Sequence, residues 1–271
     1  MKLHYYRPEE NVINFGDELN RYIWEHYFPN FFNEDSSKVF FGIGTILRAA
    51  KKYYPNSEIV IFGSGAHSES QKLEANFNVL FVRGPLTAKA LGINKWITDP
   101  GILTSKVFIS KKEKTYRFSY MPHFSTDNNY YKQVIEKLGI QYISPKLPVE
   151  EVIKKINKTE ILITEAMHGA IVADTYRVPW IPVKSYQSFN YFKWNDWTQS
   201  MNIKLTVSTL PRLYESMSGI KKIIKEKLFS IGIKKICKLP PSLSDEKIAQ
   251  QKINELENEI FQFKQNIKAS H

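Results

Sequence analysis

Residues Ile161–Val183 place a histidine where a helix begins after a strand. The apolar run Ile161–Ile163 is long enough for a buried strand and too short for a helix. Glu165 follows this run, and His168 opens a segment whose apolar spacing predicts a helix. Backbone N–H groups and the helix dipole attract anions at such a position. His168 is therefore our first candidate for contact with an anionic ligand, the alternative being a histidine that only caps the helix.

Arg83 is a second candidate, because it follows the predicted strand Val79–Val82 and precedes Pro85. Proline suits the first helical turn, where its missing N–H group costs nothing. Arg83 is thus predicted to lie beside a helix N-terminus, where its planar guanidinium can hold a carboxylate or phosphate. The alternative is an ordinary ion pair. His123 follows another predicted strand and is either a functional residue or a structural one.

Predicted strands and helices alternate over residues 1–110 and again over 115–200, on either side of the charged segment 110–114. Ile161–Val183 is itself a strand–helix–strand unit, which must cross over right-handed into a parallel sheet. The pattern predicts an α/β protein with two Rossmann-like, doubly wound domains that face each other across a cleft. A predicted strand and turn at Ile97–Leu103 completes the first domain.

The predicted second domain ends in an aromatic stretch that we expect to help close it. Its Trp194 and Trp197 are expected in the core, the alternative being platforms for sugar rings. Within 201–219, a helix near Leu210–Ser216 is predicted to return and pack on the first domain.

The tail, residues 220–271, has a different composition. Lysines alternate with isoleucines up to Lys238, giving a basic amphipathic segment in which Cys237 is expected to be inert. The segment is either a solvated helix packed on the domains or a helix that lies on an anionic membrane surface, which we favour. After Pro240, apolar residues at helical spacing predict a helix that could form a coiled coil or a homo-oligomer.

The composition limits the class of protein. A formal net charge of +11 favours an anionic partner, but no nucleic-acid-binding motif accompanies it. One cysteine excludes an intrachain disulfide and fits a cytoplasmic location. We expect no signal peptide and no transmembrane helix, because no suitable apolar segment is present. No cluster of histidine, cysteine and carboxylate residues has metal-site spacing, so we predict no metal ion.

Five short motifs occur in an order that points to one family. They are NFGDELN at Asn14–Asn20, GIGTIL at Gly42–Leu47, VRGPLT at Val82–Thr87, DPGIL at Asp99–Leu103 and TEAMHGAIVAD at Thr164–Asp174. Together they resemble the polysaccharide pyruvyl transferase family, particularly its exopolysaccharide ketolase-like members. The resemblance covers residues 1–215 or thereabouts and leaves the tail outside.

The resemblance implies a GT-B-like pair of domains, with residues 1–110 on the acceptor side and 115–200 on the donor side. It implies phosphoenolpyruvate as co-substrate, no cofactor, and a pyruvate ketal across two sugar hydroxyls as product. The implied acceptor is a lipid-linked or polymeric saccharide. We therefore expect a cytoplasmic protein, peripheral at the inner face of the cytoplasmic membrane.

The resemblance also implies roles for individual residues. An enolpyruvyl donor is protonated at its methylene carbon, so the site needs a proton donor, cations, and a base near the hydroxyls. We expect His168 to bind the donor and act in catalysis, Glu165 to orient or protonate it, and Asp17 to serve the acceptor hydroxyls. The other donor-side candidates are Arg83, His123, Met167, Gly169 and Lys184. The other acceptor-side candidates are Asn14, Gly44 and Thr45.

One position departs from the family pattern. Many members carry arginine two residues before the histidine, where this chain has Ala166. Another cation must replace it, and the candidates are Arg48, His123, Lys184 and Lys193. Two alternatives to a pyruvyltransferase stay open: a nucleotide-sugar glycosyltransferase on the same architecture, and an inactive scaffold of a polysaccharide assembly complex. The lack of a clear acidic residue to hold a ribose in the second domain favours the pyruvyltransferase over the glycosyltransferase.

Overall fold

The computed structural model describes residues 1–8, 12–109, 113–214, 216 and 218–269. The strands are β1 (Lys2–His4), β2 (Lys38–Phe41), β3 (Glu58–Phe62), β4 (Phe77–Phe81), β5 (Tyr116–Met121), β6 (Gln141–Tyr142), β7 (Thr159–Thr164), β8 (Trp180–Lys184) and β9 (Ser208–Thr209). The helices are α1 (Phe15–Tyr27), α2 (Leu47–Tyr53), α3 (Pro85–Leu91), α4 (Thr104–Val107), α5 (Asn129–Glu136), α6 (Val149–Asn157), α7 (Met167–Thr175), α8 (Tyr191–Ser200), α9 (Gly219–Ile236) and α10 (Glu246–Ala269).

The strands form two parallel sheets, one in each predicted domain. The second sheet has the order β6-β5-β7-β8-β9. Strand β6 lies on one side of β5 and strands β7 to β9 lie on the other, which is the strand order of a doubly wound sheet. The first sheet has the order β1-β2-β3-β4 without a reversal. The prediction of an α/β protein is confirmed, but among the described strands the doubly wound order is found in the second sheet and not in the first.

The strand–helix–strand unit at Ile161–Val183 is confirmed as β7-α7-β8, with Leu162 paired to Trp180 in parallel. The predicted strand at Ile97–Leu103 is wrong. Only an isolated bridge between Val82 and Trp96 forms there, and a 3₁₀ helix follows at Pro100–Leu103. Pro100 has no N–H group for a strand ladder, and the Asp99 side chain accepts a hydrogen bond from the Gly101 amide to begin the 3₁₀ helix.

The helix predicted near Leu210–Ser216 is not found in the described part of 201–219. That part contains β9, which pairs with β8. Leu210 and Leu213 are buried against α9 in the second half of the chain, so this segment does not return to the first domain. The predicted linker at 110–114 falls largely on residues 110–112, which lie outside the described residues.

The helix that returns to the first half is α10. Its apolar stripe, Ile253, Leu256, Ile260 and Phe263, is buried. The ring of Phe263 lies 5.6 Å from Phe28 and 5.4 Å from Phe62. The chain itself therefore covers the stripe whose spacing predicts a coiled coil.

Helix α8 packs on both halves, because the rings of Trp194 and Trp197 lie 6.1 Å and 5.3 Å from that of Trp180 in β8. It packs on α3 of the first half, and Trp194 and Trp197 are fully buried, which confirms that they belong to the core. A continuous apolar core joins the halves through α1, α6, α7 and α10. Within the described residues, no helix is long and apolar enough to span a membrane.

Candidate active site

A cavity of about 380 Å³ lies where the two halves meet. The carboxyl ends of strands from both sheets reach this cavity. In the first sheet, Tyr6 follows β1 and Gly44 follows β2; in the second sheet, Met121 ends β5 and Ala166 follows β7. The strand order of the second sheet reverses between β5 and β7, which is the position where open α/β sheets bind ligands. The topology therefore identifies this cavity as the candidate active site.

His168 lies in the first turn of α7 and lines the cavity with 16% of its side chain exposed. Its Nε2 atom is 3.6 Å from Oδ2 of Asp99, a distance suited to an ion pair but longer than a hydrogen bond. Neither atom has a hydrogen-bond partner among the described residues. A Cβ atom at Gly16 would lie 2.0 Å from Nδ1 of His168, so only glycine allows α1 to approach the ring this closely.

Asp99 is fully buried beneath His168. Burial by itself would raise the pKa of Asp99, but its interaction with His168 and the nearby charge of Arg83 outweigh that effect and lower the pKa. Asp99 therefore supplies a buried negative charge beside Nε2 of His168.

Asp17 lines the same cavity from α1 of the first half. Asn14 donates a hydrogen bond of 2.7 Å to its carboxylate. Burial raises the pKa of Asp17 to about 6, although the charges of His168 and Lys193 oppose the shift. A carboxylate with this pKa is suited to accept a proton near neutral pH.

Asn20 fixes the position of Asp17 relative to the glycine loop after β2. Its buried side-chain amide donates hydrogen bonds of 2.9 Å to the Asp17 carbonyl and 3.0 Å to the Ile43 carbonyl. Its side-chain oxygen accepts one of 2.8 Å from the Ile43 amide. Gly44 follows with φ of +120°, a value that favours glycine. The predicted acceptor-side residues Asn14, Asp17, Gly44 and Thr45 all line the cavity.

Lys193 is supplied by α8 and also lines the cavity. The side chain of Asn190 accepts a hydrogen bond of 3.0 Å from the Lys193 amide and caps the helix at this point. Burial and the charge of Arg83 lower the pKa of Lys193 to about 8, against the opposing effect of Asp17 and Asp99. Lys193 is therefore a cation at neutral pH, held partly out of water and able to attract an anion.

Arg83 does not face the cavity. It is fully buried, and its Nε donates a hydrogen bond of 3.0 Å to Oδ2 of Asp196 in α8. Its Nη1 donates one of 2.9 Å to the Thr45 hydroxyl. Asp196 also accepts hydrogen bonds from the amide and hydroxyl of Thr87. Arg83 thus joins α8 to the first half and positions Thr45 at the edge of the cavity.

Glu165 is buried behind the cavity and does not line it. It accepts a hydrogen bond of 3.0 Å from the His123 amide and another from the Thr126 hydroxyl. Glu165 therefore holds the loop that carries His123.

The ring of His123 lines the cavity and lies 4.6 Å from that of Tyr186. Burial and the charge of Lys193 lower the pKa of His123 to about 4, so its side chain is neutral at physiological pH.

Of the remaining predicted donor-side residues, one lines the cavity and two do not. Met167 lines the cavity. Gly169 packs against Met121, and the Lys184 ammonium lies 5.0 Å from the centre of the Tyr191 ring; neither residue lines the cavity. Of the four candidates to replace the arginine absent at Ala166, the cavity therefore contains Arg48, His123 and Lys193.

Sequence reasoning gave no role to Asp99, Asn20 or Asp196. The motif Asp-Pro-Gly at Asp99 is a recognisable start of a short helix, and this signal explains its hydrogen bond to the Gly101 amide. No sequence signal connects Asp99 with His168, because the two residues lie in different halves of the chain.

The fold and the cavity define an α/β protein with a basic site between two parallel sheets, and comparison with known proteins gives the family. Residues 3–187 match the family model for Polysaccharide pyruvyl transferase, and the chain belongs to this family. It is similar to the Succinoglycan biosynthesis protein ExoV of Rhizobium meliloti (strain 1021), with 33% identity over 218 residues. The alignment covers 78% of this chain and 68% of ExoV.

Proposed function

We propose that this chain transfers the pyruvyl group of phosphoenolpyruvate onto two hydroxyls of one sugar, forming a cyclic ketal during exopolysaccharide synthesis. The observation that carries the proposal is the convergence of His168, Asp17 and Lys193 on one cavity in a member of this family. The similarity to ExoV, a succinoglycan biosynthesis protein, supports an exopolysaccharide as the product.

The first step is protonation of the methylene carbon of the donor. His168 is suited to supply this proton because its ring lines the cavity and its Nε2 lies 3.6 Å from the buried Asp99 carboxylate, which positions the ring. Protonation leaves a positive charge at the adjacent carbon, which one sugar hydroxyl attacks. Asp17 accepts the proton of that hydroxyl, since it lies in the same cavity with a pKa of about 6.

The second step replaces phosphate with the other hydroxyl. The bond between the central carbon and the phosphate oxygen breaks, phosphate leaves with its electron pair, and the second hydroxyl attacks the resulting cation. The second hydroxyl gives its proton to the departing phosphate, and the proton held by Asp17 replaces the one that His168 gave up, so the products are the ketal and hydrogen phosphate. Lys193 binds the carboxylate or phosphate of the donor and takes the place of the cation absent at Ala166.

The arrangement of the two halves supports separate binding sides for the acceptor and the donor. We assign the acceptor to the side formed by Asn14, Asp17, Gly44 and Thr45, and the donor to the side formed by His168 and Lys193. This assignment includes a GT-B-like relationship between residues 1–110 and 115–200, for which the support is that both sheets direct their carboxyl ends to one cavity.

The test is phosphate release from phosphoenolpyruvate with and without a panel of galactosides, glucosides and mannosides. We expect sugar-dependent release and a sugar product whose mass corresponds to the ketal. His168→Ala should lower the rate about 10²–10⁴-fold. His26→Ala is the matched control, because His26 lies in the last turn of α1 and does not line the cavity.

Other outcomes would overturn the proposal. Sugar-dependent release that His168→Ala leaves intact would remove His168 from the mechanism. No release, together with thermal stabilisation by a nucleotide sugar but not by phosphoenolpyruvate, would identify a glycosyltransferase. Stabilisation by neither ligand would favour an inactive scaffold.

A further inference from the structure

Helix α9 has one face packed on the second sheet and another exposed to solvent. Phe229, Ile233 and Ile236 are buried. The ring of Phe229 lies 5.6 Å from that of Tyr131, and Glu226 accepts a hydrogen bond of 2.7 Å from the Tyr130 hydroxyl. These contacts fix the rotation of α9 about its own axis, so its opposite face points away from the protein.

The exposed face carries an unusual concentration of large apolar side chains. The exposed fractions are 74% for Ile220, 51% for Ile224, 49% for Leu228 and 42% for Ile231. With 3.6 residues per turn, these residues form one strip along the helix. Such a strip is costly in water and indicates an interaction surface.

The charges around the strip indicate what covers it. Lys227 and Lys234 flank the strip on one side and Lys221 flanks it on the other, and all three are exposed. Glu226 is the one acidic residue of α9, and it is engaged by Tyr130. A second copy of the chain would place lysines against lysines, which is unfavourable. An anionic surface with an apolar interior would accept both the isoleucines and the lysine ammonium groups.

We propose that the exposed face of α9 binds an anionic phospholipid membrane, with the helix parallel to the membrane plane. The apolar strip enters the acyl boundary and the flanking lysines contact the headgroups. The first half of α9 contacts Tyr130, at the start of α5, and the loop between β5 and α5 supplies His123 to the cavity. The first half of α9 therefore packs on the helix that follows the cavity loop, an arrangement that would suit an acceptor carried on a lipid.

The test is flotation of the purified protein with vesicles, in the absence of any substrate. Its result is therefore independent of the proposed reaction. We expect binding to vesicles of equal parts phosphatidylcholine and phosphatidylglycerol, and much weaker binding to phosphatidylcholine alone. Ile224→Glu combined with Ile231→Glu should lower binding more than about tenfold. Phe261→Glu is the control, because Phe261 is 53% exposed on α10.

The contribution of charge is measured separately. Lys227→Glu combined with Lys234→Glu should lower binding to the anionic vesicles by more than about fivefold per residue. Lys51→Glu combined with Lys89→Glu gives the same net charge on exposed residues of α2 and α3 and should change binding far less. Thermal unfolding followed by circular dichroism should show that every variant remains folded.

Three results would overturn the proposal. The first is that the wild-type chain does not bind the anionic vesicles. The second is that the Ile224 and Ile231 double variant binds them as well as wild type does. The third is that light scattering shows a dimer which this double variant dissociates, without any vesicle binding, because the surface would then join two copies of the chain.

Discussion

His168 and Asp99 face each other across the boundary between the two halves of the chain, with Nε2 of His168 3.6 Å from Oδ2 of Asp99. Asp99 immediately precedes the 3₁₀ helix Pro100–Leu103, against which α7 packs. The pair therefore forms only when the halves are packed together. In the proposed reaction Asp99 is a positioning residue, because it would act on the substrate through His168.

We expect Asp99→Asn to lower kcat for phosphate release at least about tenfold, because His168 loses the negative charge that lies beside its Nε2. Asparagine keeps an oxygen that can accept the hydrogen bond from the Gly101 amide, so the 3₁₀ helix should remain. Asp35→Asn, an exposed aspartate far along the chain from either residue, is the control. An unchanged kcat for Asp99→Asn would show that the pair has no part in catalysis.

The activity should depend on pH with a maximum between two limbs. Asp17 accepts a proton and must be ionised, so kcat/KM should rise as the pH passes through about 6. Lys193 must be protonated, so kcat/KM should fall as the pH passes through about 8. Lys193→Arg should move the alkaline limb to higher pH, because arginine stays charged. A limb that stays in place in this variant would assign it to another group.

The raised pKa of Asp17 should also affect stability. The folded chain holds the proton of Asp17 up to about pH 6, whereas the ordinary value is 3.8. The cost of ionising this partly buried carboxyl is therefore absent below about pH 4 and complete above about pH 6. We expect Asp17→Asn to raise the free energy of unfolding by about 1–2 kcal/mol at neutral pH and hardly at all in acid. Urea unfolding at both pH values measures this, and equal effects would contradict it.

Variants at Lys193 and Ala166 test whether Lys193 replaces the arginine that is absent at Ala166. We expect Lys193→Ala to raise KM for phosphoenolpyruvate at least about tenfold, since one charged contact contributes about 1.5–3 kcal/mol. Lys184→Ala should leave KM unchanged, because Lys184 lies against Tyr191 and does not line the cavity.

Ala166→Arg should restore much of the affinity lost in Lys193→Ala, since Ala166 lines the same cavity. If the double variant binds phosphoenolpyruvate no better than Lys193→Ala does, the two positions do not serve the same group of the donor.

The ion pair between Arg83 and Asp196 should contribute to the fold. Both side chains are fully buried, so Asp196→Ala leaves an uncompensated charge and should cost about 3–5 kcal/mol of unfolding free energy. The surface pair between Lys38 and Glu58 is the comparison, and Glu58→Ala should cost about 1 kcal/mol or less. Urea unfolding measures both. A small effect of Asp196→Ala would show that water reaches Arg83.

Local features of the fold were predictable because they depend on residues close together in the chain. The run Ile161–Ile163, the helix that begins beside His168 and the strand after Pro179 gave a correct βαβ unit. The residues Asn14, Asp17, Gly44 and Thr45 were also predicted on one side of a site, from their resemblance to a family, and they line one cavity.

Long-range partners were not predictable. Arg83 has the sequence context of a residue that binds an anionic ligand. Its guanidinium instead donates a hydrogen bond to the carboxylate of Asp196 in α8. The apolar stripe of α10 has the spacing of a coiled-coil helix, but Phe28 and Phe62 of the first half cover it. The same spacing suits a coiled coil and packing on the chain's own core, because an amphipathic helix requires only that apolar side chains cover its apolar stripe.

The sequence by itself determined the α/β class, the helix that presents His168 and the family, because each depends on local patterns or on motifs in order. Only the tertiary structure decided which charged groups reach the cavity. It places Lys193 in the same cavity as His168 and Asp99 beside the His168 ring. Arg83 and Glu165 lie outside the cavity, where Arg83 binds Asp196 and Glu165 holds the loop of His123. The physical reason is that the charge and pKa of a buried group depend on the side chains packed around it, and those come from distant parts of the chain.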